Sequence, residues 1–124
     1  MEQYDKYKDN NKFKIFEKEN DYGMIEYKSK ISWNSSYKVY HLISQIKYRI
    51  NEGNGSAIYV LCVNDTGTIL DLTKKERNTS LQNFKKLMNA LNFKIKMILH
   101  CKFSNRFCWI IKITDPNYKI DFLC

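Results

Sequence analysis

The chain has 124 residues, of which 44% are hydrophobic, 15% aromatic and 27% charged, values that fit one globular domain with a soluble surface and its own core. No apolar run approaches the roughly 20 residues that span a bilayer, and the charged stretch from Met1 to Asp9 has no apolar core of a secretory signal, so the expectation is a cytoplasmic protein without membrane contact. The formal charge of +8 favours a polyanionic partner, since lysines set against phosphates release counterions, but nearly all of the excess is lysine and A/T-rich codons alone can supply it.

Residues 1–22 mix Lys, Asp, Asn, Glu and Tyr with neither a helix nor a strand period. They read as a flexible polar extension in which only Phe13, Ile15 and Phe16 could dock. The α+β domain is expected over residues 23–114. It opens with an alternating strand, Met24 to Ile31, with Ile25, Tyr27 and Ile31 inward. Asn34, Ser35 and Ser36 offer cap side chains for a helix, in which Val39, Ile43, Ile46 and Ile50 recur as one apolar stripe. The Gly53 and Gly55 segment ends that helix. Ala57 to Val63 is continuously apolar, as in a central strand covered on both faces.

Asn64 to Gly67 is a turn, and Thr68 to Leu72 is expected to return as a short strand. Thr73 and Glu76 then form a capping box for a second helix with Leu81, Phe84, Met88 and Leu91 on its core side. Two strands follow, Phe93 to Lys102 and Phe107 to Ile113, joined at Ser104-Asn105; a two-residue turn would set Cys101 opposite Cys108. Residues 115–124 carry Pro116 and little pattern, and read as a frayed tail. The order β-α-β-β-α-β-β implies a two-layer sandwich, with two helices on one face of a mainly antiparallel sheet.

Reactive groups are few. His41 and His100 are the only histidines, and neither lies in a nucleophile motif. Cys62, Cys101, Cys108 and Cys124 lack metal-ligand spacing, and free thiols are expected in a reducing compartment; His100, Cys101 and Cys108 come closest to a cluster. Glu52 to Ser56 precedes a strand, the reverse of a phosphate-binding loop, and reads as a helix-to-strand connection. No cofactor and no catalytic residue is implied. Lys38, His41, Gln45 and Arg49 fall within one arc of the first helix, a row of donors suited to phosphates or to an acidic partner, set against the simpler reading of a solvated flank. Lys94, Lys96 and Lys102 give a second basic stripe on the outer face of a strand. Tyr40, Tyr48 and Trp109 could stack bases if exposed.

The segments Ile25-Glu26-Tyr27-Lys28, His41-Leu42 with Gln45 and Arg49, Glu52-Gly53-Asn54-Gly55 with Ala57, and Val63, Asp65 and Gly67 resemble the N-terminal region of the GTP-binding protein 1 and 2 family, which are elongation-factor-like translational GTPases. The resemblance spans Gly23 to Leu72. It departs at Cys62, where the family tends to have glycine, and at Asp71, which replaces a second glycine. A looser similarity links Tyr59 to Leu72 with the Schlafen-type AlbA domains. The family carries a downstream G domain with a Gly-x-x-x-x-Gly-Lys-Ser/Thr loop that cradles phosphates, and no such loop occurs in these residues. The resemblance therefore implies a non-catalytic accessory module whose partners are RNA, the ribosome or an adjacent G domain. A stand-alone basic domain that binds RNA or protein is the alternative.

Overall fold

The computed structural model describes residues 11–32 and 35–119; residues 1–10, the candidate cap Asn34 and the tail from 120, Cys124 included, lie outside them. After a single 3-10 turn (Asn11–Phe13), the elements in chain order are β1 (Ile25–Lys28), α1 (Ser36–Glu52), β2 (Ser56–Leu61), α2 (Lys74–Leu91), β3 (Lys94–Phe103) and β4 (Arg106–Thr114). Ser35 caps α1, its hydroxyl accepting from the Lys38 amide at 3.2 Å. Gly53 closes the helix, and a Cβ there would lie 1.8 Å from the Ser56 carbonyl oxygen, so the short α1–β2 connection requires glycine. The expected capping box opens α2: the Glu76 amide donates to the Thr73 hydroxyl at 3.1 Å, and the Thr73 amide donates to the Glu76 carboxylate at 3.0 Å.

The sheet order is β1-β2-β4-β3, with β1 parallel to β2 and the other two pairings antiparallel. Register fixes which side chains share a face, because neighbouring paired residues point the same way. Glu26 pairs with Tyr59, Tyr59 with Ile111 and Leu61 with Trp109. Both helices pack on that face: Phe84 of α2 meets Tyr59 at 5.1 Å between ring centres, and Arg49 of α1 reaches Glu26. Tyr59, Leu61, Ile111, Ile113, Ile46 and Phe84 are fully buried between the layers, the α+β sandwich expected from the pattern.

Local detail departs from the alternation read in the sequence. In β1 it is Glu26 that faces the helices, while Ile25 is 44% exposed on the opposite face. The α1 stripe rotates toward Leu42, which is buried with Ile46 and Ile50, whereas Val39 and Ile43 are half-buried. β2 stops at Leu61 because Cys62 adopts a φ of 72°, a left-handed conformation that leaves the sheet plane at the position where the resembled family tends to have glycine. The chain then returns through a single bridge, Val63 with Ile69, with the Leu70 amide donating to the Cys62 carbonyl at 2.9 Å. This bridge is what the expected strand over Thr68 to Leu72 amounts to.

The larger difference is at the ends. The described part of the expected flexible extension packs on the domain, Phe13 and Phe16 against the sheet face opposite the helices and Asn20 and Asp21 against α1. Phe13 is 7% exposed, its carbonyl accepts from the Ile69 amide at 3.0 Å, and its ring lies 3.6 Å from the Arg106 guanidinium carbon. The Phe16 amide donates to the Gly67 carbonyl at 3.1 Å, and the Glu19 carboxylate accepts from the Tyr27 amide at 2.5 Å. Gly67, with φ of 91°, is needed here because a Cβ would sit 2.2 Å from the Phe16 carbonyl oxygen. Polar sequence concealed this docking, since backbone hydrogen bonds rather than an apolar period hold most of the segment. At the other end the Asp115 amide donates to the Gly55 carbonyl, and the Tyr118 hydroxyl donates to Asn51 at 2.9 Å, so residues 115–119 of the expected frayed tail lie against the end of α1.

Candidate nucleic-acid interface

Three of the four residues placed on one arc of α1 line a single open cleft of about 770 Å³. It lies between the first half of α1, the β1–α1 connection and the chain from Asn64 to Leu72. Lys38, His41 and Gln45 form one wall, Lys28 and Lys30 the opposite rim, and Asp71 the one acidic contribution. The connection is held in place by α2: the Ile31 amide donates to the Ser80 hydroxyl at 3.1 Å, and Asn83 donates to the Ile31 carbonyl at 2.9 Å. The third wall is a turn in which the Asn64 side-chain oxygen accepts from the Thr66 and Thr68 amides, both at 3.1 Å.

Charge in the cleft is unevenly committed. Lys30 is spent on Glu76 at 2.5 Å, and that ammonium, with the capping bond from Thr73, holds the Glu76 carboxyl down to about 2. Lys28 lies 3.8 Å from Glu26, and Lys38 makes no ion pair with a described residue. His41 stacks on Tyr37 with ring centres 6.3 Å apart and planes 8° from parallel, and Tyr37 is 77% exposed at the cleft mouth. The Gln45 amide nitrogen lies 3.5 Å from His41, while its buried carbonyl oxygen has no partner among the described residues. The cleft thus presents two ammonium groups, an imidazole, an amide and an aromatic ring, a set that suits a phosphate next to a planar group.

Arg49, the fourth residue of the arc, does not belong to the cleft. Two turns beyond His41 it is 4% exposed and engages Glu26 through Nε at 2.7 Å and Nη2 at 2.6 Å. Its remaining donors satisfy the Gly23 and Asn20 carbonyls at 2.8 and 2.9 Å. Arg49 is a fold residue, and the reason is its position along the helix axis: it stands over β1, where a buried carboxylate needs a fixed cation.

The lysine stripe of β3 is also broken. A register irregularity between Ile95 and Met97 changes the side of the strand that the following residues face. Lys94 shares the face opposite the helices with Met97 and Leu99, Lys96 sits at the irregularity, and Lys102, paired with Phe107, lies on the helix side. The two-residue turn at Ser104-Asn105 does set Cys101 against Cys108. Both carry free thiols, as does Cys62, and burial pushes the Cys62 and Cys108 thiols up to about 12, far from the thiolate a nucleophile needs. Among the described residues no group of His, Cys, Asp or Glu could hold a metal ion, and no helix is long and apolar enough to cross a membrane. Sequence reasoning missed Lys28 and Asp71 as cleft residues, because nothing local tells that the β1–α1 connection and the turn after β2 face the same helix.

The fold and the cleft define a basic two-layer α+β domain with a ligand-sized, cation-bearing groove beside its first helix. The chain is similar to GTP-binding protein 2 of Mus musculus and of Homo sapiens, each 34% identical to it over 76 residues, which cover 61% of this chain. The match covers 13% of the length of either relative, so the likeness is to a part of a GTP-binding protein and bears out the resemblance read from the sequence. No protein-family model and no solved structure matches the chain.

Of the residues that carried the resemblance, Glu26, Arg49, Glu52, Gly53 and Gly67 have fold roles already: the ion pair, a carboxylate that accepts from the Gly23 amide at 3.0 Å, and two tight backbone approaches. His41 and Gln45 have no comparable role, and both face the cleft.

Proposed function

We propose that this domain is a non-catalytic accessory module of a GTP-binding protein 2-like translational GTPase, and that it contacts RNA through the α1 cleft. The observation that carries the reading is the convergence of Lys28, Lys38, His41 and Gln45, from two separate elements, on one open groove with the exposed Tyr37 ring at its mouth. Counterion release from a phosphate supplies affinity there, and base stacking on the ring adds to it without demanding sequence. The chain contributes no phosphate-cradling Gly-x-x-x-x-Gly-Lys-Ser/Thr loop, so any GTP chemistry belongs to another part of such a protein. A cytoplasmic location accompanies the reading.

Fluorescence anisotropy with single-stranded and duplex RNA tests it. The domain binds with an affinity that falls as salt rises, with a log–log slope of roughly −1.4 for two phosphates on a single strand, and Lys28→Ala with Lys38→Ala removes most of that slope. Binding that the double variant leaves intact contradicts the cleft assignment.

A second reading is favoured by a different observation. Ile25, Met97 and Leu99 are each more than two-fifths exposed on the sheet face opposite the helices, at 44%, 41% and 44%, beside half-buried Ile58 and Ile110. A face of this kind suits an adjacent protein domain, the G domain of a longer product being the candidate. Protection of these residues from hydrogen exchange when a G domain is added in trans tests that contact.

A further inference from the structure

The β3–β4 hairpin extends beyond the end of β2, and on its helix side it carries a second aromatic and cationic cluster that the α1 cleft does not include. His100 on β3 pairs with Trp109 on β4, and the two rings stack with centres 4.3 Å apart and planes 27° from parallel. The Phe107 ring lies 5.3 Å from His100 at 11°. Two cations edge the group: the Arg77 guanidinium carbon sits 4.2 Å from the centre of Phe107, and the Lys102 ammonium 5.8 Å from it. The Trp109 indole N–H donates to the Arg77 carbonyl at 3.3 Å, which fixes the indole plane against the start of α2.

The sheet order makes β3 an edge strand, so among the described residues no neighbouring strand lies on the side of His100 away from Trp109. His100 and Lys102 are exposed, whereas Phe107 and Trp109 are half-buried behind them. An exposed imidazole stacked on two half-buried rings, with two cations beside Phe107, forms an arrangement that can accept an unpaired base with its phosphate alongside.

We infer that His100, backed by Trp109 and Phe107 and flanked by Arg77 and Lys102, is a stacking platform for one unpaired base of a single-stranded RNA. Stacking is indifferent to base identity, so the platform adds affinity and grip on a strand rather than sequence choice. The inference rests on the proposed RNA contact only for the choice of polymer; its residues lie outside the α1 cleft, and the two surfaces fail separately.

The test is anisotropy with fluorescein-labelled ten-nucleotide RNA, and DNA of the same sequence, on the whole chain carrying His100→Ala, His100→Phe or Lys102→Ala, beside the Lys28→Ala, Lys38→Ala cleft variant. His100 is exposed, so these variants keep the fold, and circular dichroism melts verify it. His100→Ala weakens RNA binding about five- to tenfold, the low end of what one stacked base contributes, while His100→Phe stays within about twofold of the wild-type protein. Wild-type affinity in His100→Ala overturns the platform, and so does a His100→Phe loss equal to that of Ala, which would mean that ring stacking is not involved. Tighter binding of the DNA strand overturns the assignment to RNA. No binding of either strand by the wild-type protein overturns the inference altogether, and an acidic protein partner for the same cations then becomes the successor. A loss confined to the cleft variant leaves the proposed function standing and removes the platform.

Discussion

A buried carboxylate in a small domain has to be matched, and Glu26 is matched chiefly by Arg49, with the Lys28 ammonium farther off at 3.8 Å. Arg49 gives it two charge-assisted bonds and spends its other donors on the Gly23 and Asn20 carbonyls, so one side chain ties α1 to β1 and to the segment before it. Truncating it strips the buried carboxylate of its two close charged bonds and leaves only the Lys28 ammonium at 3.8 Å. Arg49→Ala is expected to cost about 3–5 kcal/mol in urea unfolding, and the double change Glu26→Leu, Arg49→Met is expected to recover part of the loss, because it removes the charge that has lost its partner. A cost below about 1 kcal/mol in the single variant would return Arg49 to the exposed arc.

The Glu76 carboxyl gives a pH-dependent counterpart at the surface. Its pKa is lowered from 4.5 to about 2, first by the bond from Lys30 and then by the Thr73 amide. A carboxyl with a depressed folded-state pKa contributes stability above its unfolded pKa and loses it as the pH falls through the folded one. Glu76→Gln should therefore lower stability by about 0.5–1 kcal/mol at pH 7, a value kept small because solvent screens the pair. The difference between variant and wild type should shrink between pH 4.5 and about 2. A difference that stays constant across thermal melts at pH 7, 4 and 2 would contradict a charge-based contribution from Glu76.

Among the elements, the segment over residues 11–22 carries the least anticipated structural role. Phe13 fills the space between Ile69 and Arg106, and Phe16 lies 6.0 Å from Tyr27, so the segment closes part of the sheet face that the helices leave open. Removing residues 1–19 is expected to lower the melting temperature by several degrees, in keeping with the roughly 3 kcal/mol that a buried phenylalanine contributes. Gly67→Ala, whose Cβ would collide with the Phe16 carbonyl, is expected to reproduce about 1–3 kcal/mol of that loss with the chain otherwise intact. An unchanged melting temperature in the truncated chain would restore a polar extension without a structural role.

This segment also marks the limit of what periodicity can tell. The helices, their N-terminal caps and the two long strands were legible, because Leu81, Phe84 and Met88, Thr73 with Glu76, and the Ser104-Asn105 turn are local signals. Three features were not. The docking of residues 11–19 is written in backbone hydrogen bonds, the irregularity at Lys96 breaks an alternation that looks unbroken in the sequence, and Cys62 turns the chain out of the sheet without a glycine. The arc of Lys38, His41 and Gln45 was legible as an arc. Its opposite rim at Lys28 comes from an element distant in sequence, and the loss of Arg49 from the site depends on a carboxylate 23 positions away.

At the scale of the whole molecule, the two layers present unlike surfaces. The helix side bears the α1 cleft with Lys28, Lys38 and His41, and the opposite side bears an apolar strip around Ile25, Met97 and Leu99. With a formal charge of +8 the chain attracts any polyanion at low salt, so affinity alone does not identify a site. Location does. An amide chemical-shift titration of the labelled domain with a short single-stranded RNA, at a salt concentration near 0.15 M, locates the contact. With RNA in the α1 cleft, Ser29, Lys38, His41 and Gln45 shift together and saturate, while Arg49 and the strip around Leu99 stay in place. Shifts scattered evenly over surface lysines, or confined to Met97 and Leu99, would contradict it and turn the domain's function toward a protein partner.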